Sequence, residues 1–187
     1  MDGVVSLLDT QHTRIVESLW VELENEFGLS SRYVPRIAHF SYQIAETYNV
    51  KRLGAALEQF ALGQRPFCVR TTGLALFTGA SPVLYIPVVR NPELTRLHTA
   101  LWQAIEDTGT GVSEHYHPDQ WMPHITLAQG DLSSDNLPQI VRQLSGRNFA
   151  WEIAVNNVAF IAHRGDEYRL KLRFGFGTRE NDHRDYN

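Results

Sequence analysis

TRIVESLW (residues 13–20) and TRLHTALW (residues 95–102) are identical at four matching positions and lie 82 residues apart. In both copies the apolar residues recur at the spacing of an amphipathic helix. Two unrelated helices of similar composition would also agree at some positions, but further elements repeat in the same order on either side. The repeat therefore predicts a duplicated fold. The apolar helix positions are Ile15, Leu19 and Leu23 in the first copy and Leu97, Leu101 and Ile105 in the second.

Each copy lies within the same series of predicted elements. The segment Asn91-Pro92-Glu93 has the N-cap, first-turn proline and acidic residue of a helix start, and Asp9 is placed to cap the first helix. A strand-like run comes before each helix, and a second helix and two more strands come after it. Long helices between short, hairpin-like strands predict two α+β lobes rather than a doubly wound parallel sheet. The predicted strands span residues 4–8, 67–77, 83–89, 149–162 and 167–176, and the second helices span residues 50–62 and 136–144.

A histidine followed two residues later by a hydroxyl residue occurs about twenty residues after each repeated tryptophan. The first motif is HFSY (residues 39–42) and the second is HITL (residues 124–127), 85 positions further on. We predict strands over residues 37–44 and 123–128. Side chains alternate between the two faces of a strand. Each strand would then bury its apolar residues and present an imidazole beside a hydroxyl, and a pseudo-twofold arrangement would bring the two presented faces together across a cleft.

Two histidines in one cleft are suited to proton transfer. The unperturbed pKa of histidine is about 6.5, so near neutral pH one ring can accept a proton while the other donates one. The hydroxyls of Ser41 and Thr126 can donate hydrogen bonds to phosphate oxygens on which negative charge builds up. The residues therefore predict His39 and His124 as an acid–base pair, and the near symmetry leaves open which is the acid. This chemistry requires neither a metal ion nor a cofactor.

The paired motifs resemble those of the 2H phosphoesterase superfamily. The longer second motif, PHITLA (residues 123–128), is similar to its branch of RNA 2′,5′-ligases and 2′,3′-cyclic phosphodiesterases. The resemblance covers residues 4–176. It implies a bilobal α+β fold with antiparallel sheets lining a central cleft and helices outside. It also implies metal-independent opening of cyclic phosphates of RNA or nucleotides, with catalysis by His39 and His124 and phosphate contacts from Ser41 and Thr126. Threonine is common in the family at position 41, and serine keeps the hydroxyl but lacks the methyl group that restricts χ1.

Other interpretations of the same residues remain open. Either histidine alone would more often be a structural residue of the core. The same cleft could also bind a nucleotide or an RNA end without converting it, and ligation would be the reverse of cleavage at the same site. Around the second motif, His115 and His117 raise the alternative of a metal site, although their spacing matches no known pattern.

Several further residues have two interpretations each. The loop before the second motif is either a plain polar connection or a cover over the cleft that contacts substrate through Tyr116 or Trp121. Trp20 and Trp102 are predicted to lie in the core. Arg36, Arg70 and Arg90 could supply positive charge near the phosphate, but arginines are more often solvated residues of the surface.

Composition restricts the class of protein. The 187 residues, 43% of them hydrophobic, suit one globular domain over residues 1–187, made of two pseudo-symmetric lobes that each carry one motif. The net charge is −4 and no dense basic run is present, which favours a short or terminal phosphate over a long duplex. Cys68 is the sole cysteine. With no signal peptide or membrane-spanning run found, we expect a cytoplasmic monomer that binds a cyclic nucleotide phosphate or an RNA terminus, with no membrane and no protein partner.

Overall fold

Eleven strands and four helices form in the part of the chain that the computed structural model describes, residues 1–29, 34, 36–165 and 167–178. The helices are α1 (Thr10–Phe27), α2 (Val50–Leu62), α3 (Pro92–Ile105) and α4 (Leu137–Leu144). The strands are β1 (Asp2–Leu7), β2 (His39–Ala45), β3 (Thr47–Tyr48), β4 (Phe67–Arg70), β5 (Ala75–Phe77), β6 (Val83–Pro87), β7 (Gly109–Thr110), β8 (His124–Gln129), β9 (Glu152–Val155), β10 (Asn157–Arg164) and β11 (Glu167–Gly175). The predicted α+β class is confirmed.

Two antiparallel sheets dominate the fold, and each one takes strands from both halves of the sequence. The first sheet has the order β11-β10-β1-β2. The second has the order β5-β6-β8, and an antiparallel bridge between Thr71 and Val88 connects it to the β4–β9 pair. A short pair, β3–β7, accompanies them. The first sheet therefore contains the strand of His39, and the second contains the strand of His124.

Helices α1 and α3, which contain the two repeats, each pack on the sheet that carries the histidine strand of the other half of the chain. Helix α1 contacts β8 of the second sheet, whereas α3 contacts β2 of the first. Helix α2 packs beside α3 against β10 and β11. At the other side Gln143 of α4 donates a hydrogen bond of 2.6 Å to Glu22 of α1. Each sheet thus has a helix pair on its outer face, and the apolar residues between them form one continuous core.

Local sequence signals determine where the helices begin and end. The side chains of Asp9, Asn49 and Asn91 each accept a hydrogen bond from the backbone N–H three residues later, which satisfies a donor that has no partner within the helix. Helix α1 ends at Gly28, whose φ of 67° lies in the left-handed region that glycine adopts without strain. These caps account for the close agreement between predicted and observed helices.

Two predicted strands are each divided in the structure. The run over residues 67–77 is interrupted between β4 and β5, where Gly73 has a φ of 124° that a strand cannot contain. The run over residues 149–162 becomes β9 and β10, which belong to different sheets because the chain passes from one lobe to the other at Asn156. Trp20 is buried as predicted, but Trp102 is only half-buried.

Asn157 fastens the start of β10 to the end of β1. Its buried side chain accepts a hydrogen bond from the N–H of Leu7 at 3.0 Å and donates one to the carbonyl of Leu7 at 2.9 Å. The carbonyl of Asn157 accepts a further hydrogen bond from the Ser6 hydroxyl at 2.6 Å.

No helix among the described residues combines the length and the apolar character that a membrane span requires.

Replacing Asn157 by alanine should destabilise the fold markedly. Asn157→Ala leaves both backbone groups of Leu7 without their side-chain partner, and each unsatisfied buried group costs about 1–3 kcal/mol. We expect urea unfolding to report a loss of at least about 2 kcal/mol. The exposed helix residue Asn25 provides the control, because Asn25→Ala should change the free energy of unfolding by less than about 0.5 kcal/mol. Equal effects of the two substitutions would contradict this role of Asn157.

Candidate active site

The two histidine strands have the same pattern of exposure. On β2, His39 and Ser41 are half-buried while Phe40 and Tyr42 are buried. Strand β8 repeats this residue by residue, with its histidine and threonine half-buried and the apolar residues between them in the core. The strands contact each other at the centre of the molecule. The alternation inferred from the sequence therefore places both histidine–hydroxyl pairs on the faces opposite the core.

A β-bulge follows the hydroxyl residue in both strands. The pairing register shifts at Tyr42 on β2 and at the equivalent Leu127 on β8, so each of these residues has no direct partner across the ladder. A bulge bends its strand and changes the direction of nearby side chains. The bulge residue and the residue after it are both buried on each strand, which ends the polar face just beyond Ser41 and Thr126. The pairs that flank the bulges are Val4–Gln43, Val5–Ser41, Leu84–Ala128 and Tyr85–Thr126.

Both imidazole rings are held by the same backbone contact. Nδ1 of His39 lies 2.5 Å from the carbonyl oxygen of Ile37, and Nδ1 of His124 lies 2.7 Å from that of Met122. A carbonyl oxygen only accepts, so Nδ1 is the donor and carries the proton in both rings. In each neutral ring Nε2 is then the basic nitrogen, and within the described residues neither Nε2 has a hydrogen-bond partner. The same tautomer on both sides leaves one unprotonated ring nitrogen, Nε2, on each histidine.

Burial lowers the pKa of both rings. It is the main cause at His39, where the pKa falls to about 4; the bond to Ile37 opposes the change, and the charge of His124 adds to it. The pKa of His124 is also lowered, again mainly by burial, while the bond to Met122 opposes the change. The influence of His124 on His39 shows that the two rings are electrostatically coupled. Both rings are thus mostly neutral in the free protein at neutral pH.

Trp121 connects the two motifs. It precedes His124 by three residues, and its indole Nε1 donates a hydrogen bond of 2.8 Å to the carbonyl oxygen of Ser41. The ring of His98, on α3, stacks on the indole with centroids 3.8 Å apart, and its Nε2 donates to the carbonyl of Tyr42 at 2.9 Å. Burial lowers the pKa of His98 to about 4, so this ring is neutral. The bulge beside Ser41 is thus fixed by two donors from the other half of the chain.

Trp20 makes the corresponding contact at the second motif. Its indole Nε1, on α1, donates a hydrogen bond of 3.2 Å to the carbonyl of Thr126. Both hydroxyl residues therefore have their backbone fixed by an indole, while no described residue bonds to the side-chain hydroxyl of Ser41 or Thr126. The two hydroxyls are left available for a ligand.

A cavity of about 460 Å³ opens beside His124. Phe77 and Tyr85 stack on each other with centroids 4.2 Å apart, and both rings contact the imidazole, at 5.1 and 5.0 Å between centroids. Burial raises the pKa of Tyr85, so its phenol stays protonated. A cavity of this size with aromatic walls and a few polar groups is typical of sites for small ligands. Besides Phe77 and His124, its lining residues include His115, Tyr116, Gln120, Met122 and Gln129, while Tyr85 is buried behind Phe77.

The residues around the second motif that the sequence left with two interpretations lie in different surroundings. Tyr116 and His115 line the cavity, whereas Trp121 is buried and unavailable for stacking on a ligand. His117 contacts Trp102 and lies 3.6 Å from the carboxylate of Asp119. In the described part of the chain, no three or more histidine, cysteine or acidic side chains are grouped so as to hold a metal ion.

The three arginine candidates lie in different places. Arg70 is exposed and 3.9 Å from Glu152, and Arg90 donates to the carbonyl of Trp121 at 3.1 Å. Arg36 is paired with Glu24. Phe77 and Tyr85 were not singled out from the sequence, because nothing in their local pattern distinguishes a cavity wall from a core strand.

A cleft between two antiparallel sheets, each presenting one histidine and one hydroxyl residue, is the arrangement expected of the 2H phosphoesterase fold. The chain belongs to the 2′-5′ RNA ligase superfamily, whose family model matches residues 11–167. The resemblance seen in the sequence is thereby confirmed.

Similarity to solved structures extends over nearly the whole chain. The crystal structure of TT0787 of Thermus thermophilus matches with a TM-score of 0.64 and 17% identity, over 96% of this chain and 99% of that one. At this identity the likeness shows the fold. The structure of Kluyveromyces marxianus Usb1 matches with a TM-score of 0.45 and 12% identity, over 90% of this chain and 96% of that one. No curated protein matches the sequence.

Removing the indole donor of Trp121 should loosen β2 locally. Trp121→Phe keeps an aromatic ring against His98 but deletes the N–H bonded to Ser41. The loss of one such hydrogen bond, about 1–1.5 kcal/mol, should make the amides of residues 41–43 exchange with solvent roughly tenfold faster. Trp151→Phe is the matched control, because the Trp151 indole donates to the carbonyl of Asn148, outside this site. Unchanged exchange in Trp121→Phe would refute the positioning role.

The neutral, half-buried ring of His39 should make the protein sensitive to acid. The folded-state pKa of about 4 lies below the unfolded value of about 6.5, so between these values the unfolded chain binds a proton that the folded chain does not. Stability should therefore fall as pH decreases from about 6.5 to 4, by up to about 3 kcal/mol from this residue. His39→Gln should flatten that part of the curve in urea unfolding measured from pH 7 to 4.5. Parallel curves for the two proteins would contradict the lowered pKa.

Proposed function

We propose that the protein is a phosphoesterase that opens 2′,3′-cyclic or related cyclic phosphates of RNA or nucleotides, with His39 and His124 as the acid–base pair. The observation that carries the proposal is the matched hydrogen bonding of the two rings. Each Nδ1 donates to a carbonyl two residues earlier in the chain, and no described residue bonds to either Nε2, on the polar face of its strand. Superfamily membership supports a reaction at RNA phosphates.

We assign the base to His39 and the acid to His124. The pKa of His39 is the one that falls far enough to keep the ring neutral well below pH 7. Its Nε2 takes a proton from water as the water oxygen forms a bond to phosphorus. The bond from phosphorus to one ribose oxygen breaks, and Nε2 of protonated His124 gives its proton to that oxygen. The product is a phosphomonoester, and no atom is supplied by a metal or cofactor.

The bound phosphate itself helps to charge the acid. Burial lowers the pKa of His124 in the free protein, but a nearby anion favours the protonated form and raises the pKa again. The hydroxyls of Ser41 and Thr126 would donate to the non-bridging oxygens, where negative charge increases in the transition state. The bulges beside them, held by Trp121 and Trp20, keep these donors in place.

The cavity beside His124 provides a place for the nucleoside. Phe77 lines this cavity and stacks on the buried Tyr85 behind it, and both rings contact the imidazole that would protonate the leaving oxygen. Stacking of a base on an aromatic side chain is worth about 1–3 kcal/mol and tolerates different bases. The same geometry, with a ribose hydroxyl in place of water as the nucleophile, would join RNA ends, so ligation is a related activity of the same site.

Hydrolysis of cytidine 2′,3′-cyclic phosphate, followed from pH 4.5 to 9 with and without EDTA, tests the proposal. We expect EDTA to have no effect and kcat/KM to be greatest at mildly acidic pH. The rate should fall as His124 loses its proton above its lowered pKa, and again as His39 gains one near pH 4. His39→Ala and His124→Ala should each reduce the rate about 10²–10⁴-fold.

His163→Ala is the matched control, because His163 stacks on Tyr168 on the β10–β11 hairpin and should leave this rate unchanged. Full activity in either His39→Ala or His124→Ala would eliminate the two-histidine mechanism. Tight binding of the cyclic nucleotide with no turnover would instead establish a binding module. Loss of activity with EDTA would contradict the metal-independent chemistry.

A further inference from the structure

His98 stands where the first repeat has an apolar residue. The repeated helices are offset by 82 positions, so His98 of α3 corresponds to Val16 of α1. Both side chains are buried in the structure. Both helices also pack on the histidine strand of the other half of the chain. Valine fills this position in one copy of the packing, so the packing of such a helix does not by itself require an imidazole.

Burial of the His98 ring is only partly compensated. Nε2 donates a hydrogen bond of 2.9 Å to the carbonyl of Tyr42. Nδ1 is buried and makes no hydrogen bond of normal geometry within the described residues. A buried polar atom without a partner lowers the stability of a protein. A residue that carries this disadvantage where valine would pack is the type of local exception found at functional sites.

His98 and Trp121 together hold two successive carbonyls of β2. The indole donates to the carbonyl of Ser41 at 2.8 Å, and the imidazole donates to that of Tyr42. The two rings are stacked, with centroids 3.8 Å apart and planes 25° from parallel. In a regular strand successive carbonyls point in opposite directions, so one of the two would point away from these rings. The bulge at Tyr42 allows both contacts, and the stacked pair in turn fixes the bulge.

The second motif is held in a simpler way. Trp20 donates to the carbonyl of Thr126 at 3.2 Å, and Val16 has no group that could donate to the next carbonyl. At the first motif Trp102, the counterpart of Trp20, is only half-buried and lies edge-on to the His98 ring, with centroids 6.1 Å apart. A stacked pair of donors therefore takes the place of the single indole, and it does so at the strand of the proposed base.

We propose that His98 is a positioning residue of the phosphoesterase reaction, which directs the Ser41 hydroxyl to the phosphate by fixing the adjoining Tyr42 carbonyl. The inference rests on the proposed function and assigns a role to a residue that touches neither substrate nor reacting atoms. Without this contact the bulge can shift and carry the hydroxyl with it. The donor would then be misplaced when negative charge on the non-bridging oxygens is greatest, so kcat should suffer more than KM.

His98→Val tests this role, because it introduces the residue that the other repeat has at the same place. With cytidine 2′,3′-cyclic phosphate we expect kcat to fall about ten- to hundredfold and KM to change by less than about threefold. The midpoint of urea unfolding should stay close to that of the wild type, since the variant also removes the unpaired Nδ1. The pH of maximal kcat/KM should not move, because the His98 ring is neutral throughout.

Two further variants distinguish positioning from packing. His98→Gln has an amide that can donate to the Tyr42 carbonyl and should recover much of the rate. Leu97→Ile is the matched control, because it also gives α3 the residue of α1, here that of Ile15, and should leave kcat unchanged. An unchanged kcat in His98→Val, or a loss that is shared by Leu97→Ile, would overturn the proposal.

A double-mutant cycle with Ser41→Ala identifies the group through which His98 acts. Ser41→Ala removes the hydroxyl and should itself lower kcat about 10²-fold. If His98 positions that hydroxyl, adding His98→Val to Ser41→Ala should lower kcat by less than about a further threefold. Equal losses in the two backgrounds would show that His98 acts elsewhere and would refute the assignment.

Binding of cytidine with vanadate separates this role from turnover. The two form a five-coordinate adduct that resembles the transition state, so its affinity reports where the hydroxyl lies. If the wild type bound the adduct but hydrolysed no cyclic phosphate, weaker binding by His98→Val than by Leu97→Ile would still support the positioning role. Equal binding by these two variants would overturn it. A wild type that neither hydrolysed the nucleotide nor bound the adduct would refute the proposed function and this role together.

Discussion

Helices α1 and α3 each pack on the histidine strand of the other half of the chain, and the rest of the structure depends on this exchange. Helix α1 leaves β1 in the first sheet and packs on β8 in the second, and α3 leaves β6 in the second sheet and packs on β2 in the first. Neither sheet can bury its outer face without a helix from the other repeat. The lobes consequently share one core, and the cleft between them is formed by parts that cannot separate without exposing it.

The exchange also controls the backbone of the site. Trp20 reaches Thr126 from α1, and the segment before β8 supplies the Trp121 indole that holds Ser41. Both indoles donate to the backbone carbonyl of the hydroxyl residue. Each carbonyl lies beside a bulge, where the regular pairing between strands is interrupted. The backbone of each histidine–hydroxyl motif is thus held by a tryptophan from the other half of the chain. These contacts connect the backbone of each motif to the other half of the chain, so the two histidine strands are held in one framework.

The scaffold is nearly symmetric, but the surroundings of the two histidines differ. His39 lies next to Leu7 and an extended groove with an apolar floor, whereas His124 contacts two aromatic rings at the mouth of a smaller cavity. Burial lowers the pKa of both rings but takes that of His39 to about 4. An acid and a base with distinct roles require such a difference, because two identical histidines would compete for the same proton. Unequal lining of the cleft therefore gives the duplicated frame two different histidines, as the proposed acid and base roles require.

The sequence by itself determined the local elements and the pattern of the motifs. Helices α1, α2 and α3 followed from apolar spacing and from caps such as Asp9 and Asn91, since these signals act within a few residues. The alternation on β2 and β8 placed His39 and Ser41 on one face and Phe40 on the other for the same reason. Tertiary structure alone decided that residues 149–162 divide between two sheets, that Trp121 holds Ser41, and that Phe77 and Tyr85 border His124. Each of these depends on contacts between residues far apart in the chain, and periodicity within a segment carries no information about which distant strand or helix will cover it.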